Sequence, residues 1–179
     1  MNGILSLWVD RLPTPLGEML IVSDDAGCLR ATFWSEKDRL MQPFLKRHYA
    51  PMQLRLAPAR DPHGLTTAIA RYFDGDVHSI DSLSVKTAGT DFQRLVWRAL
   101  RNIPCGRTIS YGELARRIGR PQAVRAVGLA NGANPLGVVV PCHRVIGANG
   151  SLTGYGGGME RKRWLLDHET RLRLPLVYT

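Results

Sequence analysis

The chain has 179 residues, 44% of them hydrophobic, and a formal net charge of +9. A chain of this length can bury one substantial core or two small ones. It has no apolar run near the roughly eighteen residues that a transmembrane helix needs, and its N-terminus lacks the basic and then apolar pattern of a secretory signal. The composition therefore argues against a membrane protein and predicts a globular protein of the cytoplasm.

The three cysteines are Cys28, Cys105 and Cys142, an odd number spread along the chain. Their spacing argues against a disulfide framework and is typical of a reducing compartment. The sequence contains no CxxC pair, and no set of Cys and His residues has the spacing of a metal site. We therefore expect neither a bound metal nor a cofactor.

The excess positive charge lies in the second half of the chain. Residues 1–88 hold ten Lys or Arg and ten Asp or Glu, whereas residues 89–179 hold fourteen and five, a difference of nine. An ordinary solvated surface can carry such charge, but this asymmetry is more typical of a face that binds a polyanion. Arginine contacts phosphate bidentately, and neutralising phosphates releases counterions. The distribution favours nucleic acid as the partner.

The first half of the chain begins with β-prone segments. Three segments rich in Leu, Ile, Val, Phe and Trp, separated by turn signals, predict an antiparallel meander. They span residues 4–12, 18–23 and 28–34. Ser35 is then expected to cap a helix that runs to about residue 48. The apolar side of this helix is predicted to carry Leu40, Phe44 and Leu45.

Two further elements precede a change in composition. Residues 52–56 predict a short strand, and residues 64–73 predict a helix. The polar, irregular stretch 75–88 is interpreted as a linker. It divides the chain into an N-terminal α/β scaffold domain (1–88) and a C-terminal domain (89–179). No spacing of reactive side chains in the scaffold indicates catalysis.

Two capping boxes begin helices in the second half. These boxes are TDFQ (90–93) and SYGE (110–113). In each, the Thr or Ser side chain accepts a hydrogen bond from an exposed helix amide, and the Gln or Glu side chain three residues later accepts from the amide of that Thr or Ser. The second box predicts a short helix that Gly119 ends. The helix after the first box has a predicted apolar side of Phe92, Leu95, Val96, Ala99 and Leu100.

The second capping box also begins a candidate helix-turn-helix. Pro121 suits the first position of the next helix, PQAVRAVGLAN, so that a tight turn joins two short helices. An ordinary αα-hairpin has the same pattern, but the neighbouring arginines favour DNA binding. The second helix has mostly small side chains around a single Arg125. Such a surface suits a shallow minor groove better than base readout in the major groove. Small residues also allow tight helix packing, and the two interpretations are compatible.

The stretch after residue 142 predicts a hairpin and a last helix. Asn149-Gly150 is a strong hairpin signal and indicates a wing-like pair of strands. Glycines on both sides of Tyr155 allow the backbone to approach a ligand closely. The helix MERKRWLLDHE is expected to end near residue 169. Its predicted core side chains are Trp164, Leu165 and His168.

The motif VVVPCHRVIG (138–147) sets a thiol beside an imidazole, after valines that are expected to form a buried strand. Free cysteine is a poor nucleophile at neutral pH unless a base such as histidine favours the thiolate, and a carboxylate usually orients that base. Neighbouring strand residues point in opposite directions, so Cys142 and His143 need a turn, which Pro141 allows. By itself the pair leaves three interpretations open: a buried structural thiol, a metal ligand and a nucleophile.

Four motifs together resemble one protein family. PCHRVIG (141–147), ISYGELA (109–115), AVRAVGLANGANP (123–135) and RKRWLLDHE (161–169) occur in the order and spacing of methylated-DNA–protein-cysteine methyltransferases, also called O6-alkylguanine-DNA alkyltransferases. The resemblance is strong over residues 89–179 and loose before them. It implies a stand-alone bacterial form with an α+β fold. Its N-terminal α/β domain would have a ribonuclease H-like antiparallel sheet, and its C-terminal domain would be winged helix-turn-helix-like.

The resemblance also implies roles for the reacting residues. Cys142 would accept the alkyl group as a thioether in one irreversible displacement, so each protein molecule would react once. His143 would take the thiol proton through a water, and Glu169 would orient His143. Tyr111 would donate a hydrogen bond to the departing guanine, and Asn134 would brace the turn before the active-site strand.

The DNA contacts are implied in the same way. Arg125 would fill the space of an extruded base, because the alkyl carbon is out of reach of a thiolate inside a duplex. The other implied DNA contacts are Thr90, Gln122, Ala123, Ala126 and Gly128. The implied base pocket is lined by Val145, Tyr155, Gly156 and Lys162. The partner would be double-stranded DNA carrying O6-alkylguanine, or O4-alkylthymine as a second substrate, bound through its minor groove by a monomer.

Three residues depart from the family pattern: Asp91, Arg163 and Thr170 stand where proline, an acid and glycine are common. None is a proposed reacting group, so they bear on the affinity for DNA more than on the activity.

Two other functions fit parts of the sequence: a helix-turn-helix protein with a structural or redox-sensing Cys142, and a thiol hydrolase. The small-residue helix argues against the first. The basic half and the absence of an oxyanion-hole motif argue against the second.

Overall fold

The computed structural model describes residues 3–172, and the chain divides into two compact units, Met1–Gly89 and Thr90–Thr179. The first unit is built on a four-stranded sheet, and the second is mainly helical. The predicted mixture of helices and strands is confirmed. Among the described residues, no helix is long and apolar enough to cross a membrane.

The N-terminal sheet has the strand order β3-β2-β1-β4. The strands are β1 (Ile4–Thr14), β2 (Gly17–Asp24), β3 (Leu29–Trp34) and β4 (Gln53–Pro58). The first three form the predicted antiparallel meander, which is confirmed. The fourth strand departs from the predicted antiparallel sheet, because β4 pairs parallel to β1. A parallel pair needs a crossover connection, and helix α1 (Asp38–Tyr49) lies in that connection.

Helix α1 begins later than the sequence predicts. Ser35 lies in a 3-10 turn, and the helix itself has no side-chain N-cap, so the predicted capping role of Ser35 is wrong. Leu40 is 51% exposed rather than buried, because the helix turns a different set of side chains toward the sheet. The buried side chains of α1 are Met41, Leu45 and Tyr49.

The stretch after helix α2 (Leu65–Phe73) is packed, although its composition was interpreted as that of a linker. Ile80 is buried, and Val85 forms an isolated β-bridge with Leu29. The Lys86 N–H also donates to the Leu29 carbonyl at 2.9 Å. These contacts lie along the edge strand β3 and attach the stretch to the N-terminal unit.

The C-terminal unit, as far as residue 172, contains four helices and a pair of two-residue strands. They are α3 (Asp91–Arg101), β5 (Ile109–Ser110), α4 (Tyr111–Arg117), α5 (Val124–Gly132), β6 (Val145–Ile146) and α6 (Met159–Arg171). The capping box at Thr90 is confirmed, with both reciprocal bonds to Gln93 present. At α4 only half of the box forms. Ser110 caps the Glu113 amide, but the Glu113 carboxylate pairs with two arginines of its own helix.

Helix α3 packs against α5 through its buried side. Of the predicted apolar positions, Val96 and Leu100 are buried, whereas the others are half-buried. Trp97 is buried as well, and its indole N–H donates to the Ala130 carbonyl of α5 at 2.8 Å. A buried indole N–H needs such a partner. The bond fixes the end of α5 that leads into the cysteine motif.

The start of α5 and the expected wing differ from the prediction. Gly119 ends α4 with a left-handed φ of +69°, as predicted, but α5 starts at Val124 and Pro121 lies in the turn before it. The Asn149-Gly150 signal does make a tight turn, closed by the Gly147 N–H and the Ser151 carbonyl at 2.9 Å. No strand follows over residues 151–155, because β6 pairs parallel with β5 instead. The predicted wing-like hairpin is therefore wrong.

Helix α6 buries two charged side chains in addition to an apolar one. Leu165 is buried as predicted, but Trp164 and His168 are half-buried and stack on each other with ring centroids 4.6 Å apart. Lys162 and Glu169 are instead among the buried side chains of this helix. Charged groups are rarely buried without partners, so the contacts of these two indicate where a site has been built.

Candidate active site

Cys142 starts a 3-10 turn and is only 6% exposed. The backbone is not extended in this turn, so the side chains of Cys142 and His143 need not point in opposite directions, as they would on a strand. The valines before it are buried, but they lie in turns, so the predicted strand is wrong. Val138 has a φ of +74°, a left-handed backbone that a β-branched residue adopts only when its surroundings determine it.

Two asparagines hold this turn in place from the end of α5. The Asn134 side-chain amide donates to the Val140 carbonyl at 2.7 Å, and its oxygen accepts from the Leu136 N–H at 3.0 Å. Asn131, which is buried, donates to the Cys142 carbonyl at 3.4 Å. The backbone on both sides of the thiol is therefore fixed by side chains rather than by a sheet.

His143 and Glu169 are joined inside the protein. His143 Nε2 lies 2.8 Å from Glu169 Oε1, and neither side chain is exposed. An ionised carboxylate only accepts, so Nε2 carries the proton and Nδ1 keeps its lone pair. His143 Nδ1 is buried and has no hydrogen-bond partner among residues 3–172. A neutral imidazole with a lone pair at this atom can accept a proton.

Arg144 completes the buried cluster, and the sequence analysis did not single it out. Its Nε donates to Glu169 Oε2 at 2.9 Å, its Nη2 to Glu169 Oε1 at 2.8 Å and its Nη1 to the Ile103 carbonyl at 2.6 Å. The Gly106 N–H donates to Oε2 at 3.1 Å. The only sequence signal was a cation inside the apolar run VVVPCHRVI, where a buried charge requires a partner.

The environment sets the protonation states of these groups. Burial raises the pKa of the Cys142 thiol, although a hydrogen bond with Asn134 and the charge of Lys162 oppose that rise. Burial lowers the pKa of His143 against the opposite pull of Glu169. Burial disfavours ionised Glu169, but its bonds with His143 and Arg144 outweigh that effect and hold its pKa well below the usual range. The resting site therefore contains a thiol, a neutral imidazole and a carboxylate.

Replacing Arg144 with methionine is expected to lower the free energy of unfolding by about 3–5 kcal/mol, because Glu169 would be left buried without its cation. Arg163→Met, on the exposed side of the same helix as Glu169, is the matched control and should change stability by about 0.5 kcal/mol or less. Denaturant unfolding of both variants measures the difference. Equal stabilities would contradict the pairing.

Lys162 links the thiol segment to the glycine-rich loop. Its ammonium group is fully buried and donates to the Val145 carbonyl at 2.7 Å and to the Thr153 carbonyl at 2.9 Å. Burial lowers the Lys162 pKa, and the negative charge that Cys142 carries as a thiolate opposes that shift. Lys162 is thus a buried cation within electrostatic reach of the sulfur.

Tyr111 lies against Thr153 and Gly128. The Tyr111 hydroxyl accepts a hydrogen bond from the Thr153 hydroxyl at 3.1 Å. Gly128 is half-buried under its ring, since a Cβ there would lie 3.8 Å from the Tyr111 Cδ1 atom. Tyr155 is half-buried, and burial of its hydroxyl raises its pKa well above the usual range. Gly156 is exposed beside it.

The predicted DNA contacts fall into an exposed group and a half-buried group. Thr90, Gln122, Arg125 and Ala126 are exposed, whereas Ala123 and Gly128 are half-buried. The sequence analysis missed two apolar side chains on α5: Val124 is 40% exposed and Leu129 is 71% exposed. Leu129 lies one helical turn after Arg125, so the two side chains are neighbours on the helix surface.

The other two cysteines, Cys28 and Cys105, are half-buried, and neither forms a disulfide within residues 3–172. Within residues 3–172, no group of three or more His, Cys, Asp or Glu side chains is arranged to hold a metal ion.

Known proteins of one kind match the chain. The family model described as "6-O-methylguanine DNA methyltransferase, DNA binding domain" matches residues 91–171. The methylated-DNA–protein-cysteine methyltransferase of Salmonella typhimurium is 50% identical over 171 residues, which cover 96% of this chain and 100% of the relative. The chain belongs to the methylated-DNA–protein-cysteine methyltransferase family.

Solved structures of this family resemble both units of the chain. The crystal structure of the Mycobacterium tuberculosis O6-methylguanine methyltransferase matches with a TM-score of 0.75 and 37% identity, covering 95% of this chain and 96% of that one. The structure of Mycobacterium tuberculosis OGT in complex with DNA matches with a TM-score of 0.70 and 35% identity, covering 92% and 94%. The family resemblance predicted from four motifs is thus confirmed.

Proposed function

We propose that this protein repairs alkylated DNA by direct reversal, moving the alkyl group from O6 of guanine to Sγ of Cys142. The observation that carries the proposal is the buried chain of hydrogen bonds from His143 through Glu169 to Arg144, beginning at the residue next to the thiol. Burying three ionisable groups is costly for stability. A merely structural cysteine would need no such neighbours, whereas a nucleophile needs a base and a group that orients it.

The transfer is a single displacement in which atoms and charge balance. The Cys142 thiol gives its proton to His143 Nδ1, through a water if the two atoms are not in contact, and the thiolate attacks the alkyl carbon. The S–C bond forms as the C–O bond breaks, and the bonding pair remains on guanine. The guanine anion takes up one proton and the His143 imidazolium releases one, so the products are a thioether, normal guanine and a neutral imidazole. A thioether has no good leaving group, so the protein reacts once.

Three groups support the charge changes of this step. Glu169 stabilises the imidazolium that forms on His143, and Lys162 favours the thiolate through its charge. Tyr111 donates its hydroxyl proton toward the departing guanine, whose negative charge is the largest barrier to leaving. Asn134 fixes the backbone before Cys142, so the sulfur is held at one position during the attack.

The base pocket is formed by Val145, Tyr155, Gly156 and Lys162. The Val145 carbonyl accepts from Lys162 and retains a second lone pair for an exocyclic amino group of the base. Gly156 leaves room for the base to approach the backbone closely. We assign O6-alkylguanine and O4-alkylthymine as substrates, because both present an alkyl group on an exocyclic oxygen.

DNA binds along the helix-turn-helix formed by α4 and α5, through the minor groove. Thr90, Gln122, Ala123, Ala126 and Gly128 contact the backbone or groove, and the small size of Ala123, Ala126 and Gly128 permits close approach. Arg125 inserts into the stack as the target base is extruded. The exposed Leu129 beside it offers an apolar wedge, a type of side chain that minor-groove proteins insert between base steps.

The N-terminal unit serves as a scaffold with a ribonuclease H-like arrangement. Three antiparallel strands followed by a fourth that runs parallel beside the first support this assignment. We assign the protein as a monomer, because one chain supplies every reacting group of the proposed mechanism. We assign it to the cytoplasm, because a thiol nucleophile needs a reducing compartment.

The stoichiometry of the reaction tests the proposal. One mole of protein is expected to convert one mole of O6-methylguanine in duplex DNA to guanine and then stop, because the thioether cannot be released. The measurement is the amount of guanine restored at increasing ratios of DNA to protein. Continued turnover beyond equal amounts would contradict the single-use mechanism and favour a hydrolase.

A further inference from the structure

Thr153 connects the two sides of the proposed reaction centre. Its hydroxyl donates to the Tyr111 hydroxyl at 3.1 Å, and its carbonyl accepts from Lys162 Nζ at 2.9 Å. Lys162 also donates to the Val145 carbonyl at 2.7 Å, directly after the turn that carries the thiol. Thr153 is therefore fixed through its backbone by a fully buried cation and reaches Tyr111 through its side chain.

The direction of the Thr153–Tyr111 bond matters for Tyr111. Because the Tyr111 oxygen accepts from Thr153, its own O–H can point elsewhere and donate to another group. A phenol that accepts a hydrogen bond also donates more strongly, since hydrogen bonds in a chain polarise one another. Helix α5 passes beside the Tyr111 ring at Gly128, where a Cβ would lie 3.8 Å from the ring atom Cδ1. The hydroxyl oxygen of Tyr111 is thus held by Thr153, and its proton is available to a bound base.

Threonine suits this task better than a flexible side chain. Its β-branched side chain has few χ1 rotamers, so a backbone held by Lys162 also determines where the hydroxyl lies. Both Thr153 and Tyr111 are half-buried, so neither side chain is closed off from a bound molecule.

We propose that Thr153 is a positioning residue that aims the Tyr111 hydroxyl proton at the departing base. This inference rests on the proposed alkyl transfer. Thr153 touches neither the sulfur nor the alkyl carbon in this scheme; it acts through Tyr111 alone. Its loss should therefore slow the transfer without weakening the binding of DNA, and only while Tyr111 has a hydroxyl group.

The test compares single-turnover methyl transfer from an O6-methylguanine duplex for Thr153→Val, Thr153→Ser, Tyr111→Phe and the double variant Tyr111→Phe/Thr153→Val. Thr153→Val, which keeps the shape but removes the donor, is expected to be about tenfold slower, the effect of one lost hydrogen bond. Thr153→Ser should recover most of the rate. In the Tyr111→Phe background, Thr153→Val should cost nothing further. Thr108→Val, an exposed threonine in the same unit, is the matched control and should react at the normal rate.

Duplex affinity, measured with the same Thr153 substitutions in a Cys142→Ala background, separates positioning from folding. The affinity should remain within about twofold, because the proposed role begins after binding. An equal loss of rate with and without the Tyr111 hydroxyl would overturn the inference, and so would a loss of affinity that accounts for the slower reaction. Absence of methyl transfer in the unsubstituted protein would instead overturn the proposed function itself.

Discussion

Replacing Glu169 with glutamine is expected to lower the rate of methyl transfer by about 10²- to 10⁴-fold. The carboxylate accepts from His143 Nε2 at 2.8 Å and so keeps the lone pair on Nδ1. A glutamine amide can donate to Nε2, which would move the imidazole proton to Nδ1 and leave no site for the thiol proton. The rate is measured in a single turnover with a duplex that carries O6-methylguanine.

The control for this variant is Asp167→Asn, which removes a carboxylate from the exposed side of the same helix. It should react at nearly the normal rate. Unfolding in denaturant is measured for both, because Glu169→Gln also weakens the pairing of Arg144. A folded Glu169→Gln protein that reacts within twofold of normal, about the scatter of such comparisons, would show that the relay is structural only.

Replacing Arg125 with alanine is expected to reduce repair of duplex DNA by about 30- to 100-fold, because extruding a base costs a few kcal/mol and the vacated space would no longer be filled. Reaction with free O6-methylguanine base should change little, since a free base needs no extrusion. Arg125 is exposed on α5 and makes no ion pair within residues 3–172, so its loss should not disturb the fold. The two rates are measured with the same preparation.

Arg47→Ala is the charge-matched control for Arg125→Ala. It removes one exposed cation from the N-terminal unit, whose charges balance over residues 1–88. If overall charge caused the effect, both variants would lose the same activity and the loss would fade at high salt. An Arg125→Ala protein that loses equal activity toward the duplex and the free base would refute the role in base extrusion.

Elements with strong local signals were predicted from the sequence. The capping box at Thr90 and the left-handed Gly119 are decided by residues within one helical turn, so they could be identified without the fold. The antiparallel meander was predicted for the same reason, since turn signals separate its strands. The failure at Ser35 was also local, because a 3-10 turn takes the place of the predicted first helical turn.

Features decided by distant residues were missed. The Asn149-Gly150 turn formed, but β6 found its partner in β5, much earlier in the chain, so no wing followed. The valines before Cys142 favour a strand by their propensity, yet Asn134 fixes them in turns. The cation inside the apolar run VVVPCHRVI indicates that Arg144 needs a partner but not which one, because its carboxylate partner is on α6 and its carbonyl partner follows α3.

The family motifs identified Cys142, His143 and Glu169 where local patterns left three interpretations open. Burial and hydrogen bonds then add what a motif cannot: the protonation of the imidazole, the cation that holds the carboxylate and the link from Lys162 to Tyr111. These contacts depend on packing between helices and loops, so no reading of periodicity would have revealed them.

The most direct test of the account is the mass of the peptide that contains Cys142 after the protein has reacted with duplex DNA carrying O6-methylguanine. The account predicts that this peptide gains the mass of one methyl group in place of the thiol proton, that the peptides of Cys28 and Cys105 do not change, and that Cys142→Ala gains nothing. Restoration of guanine with an unmodified Cys142 peptide would contradict it.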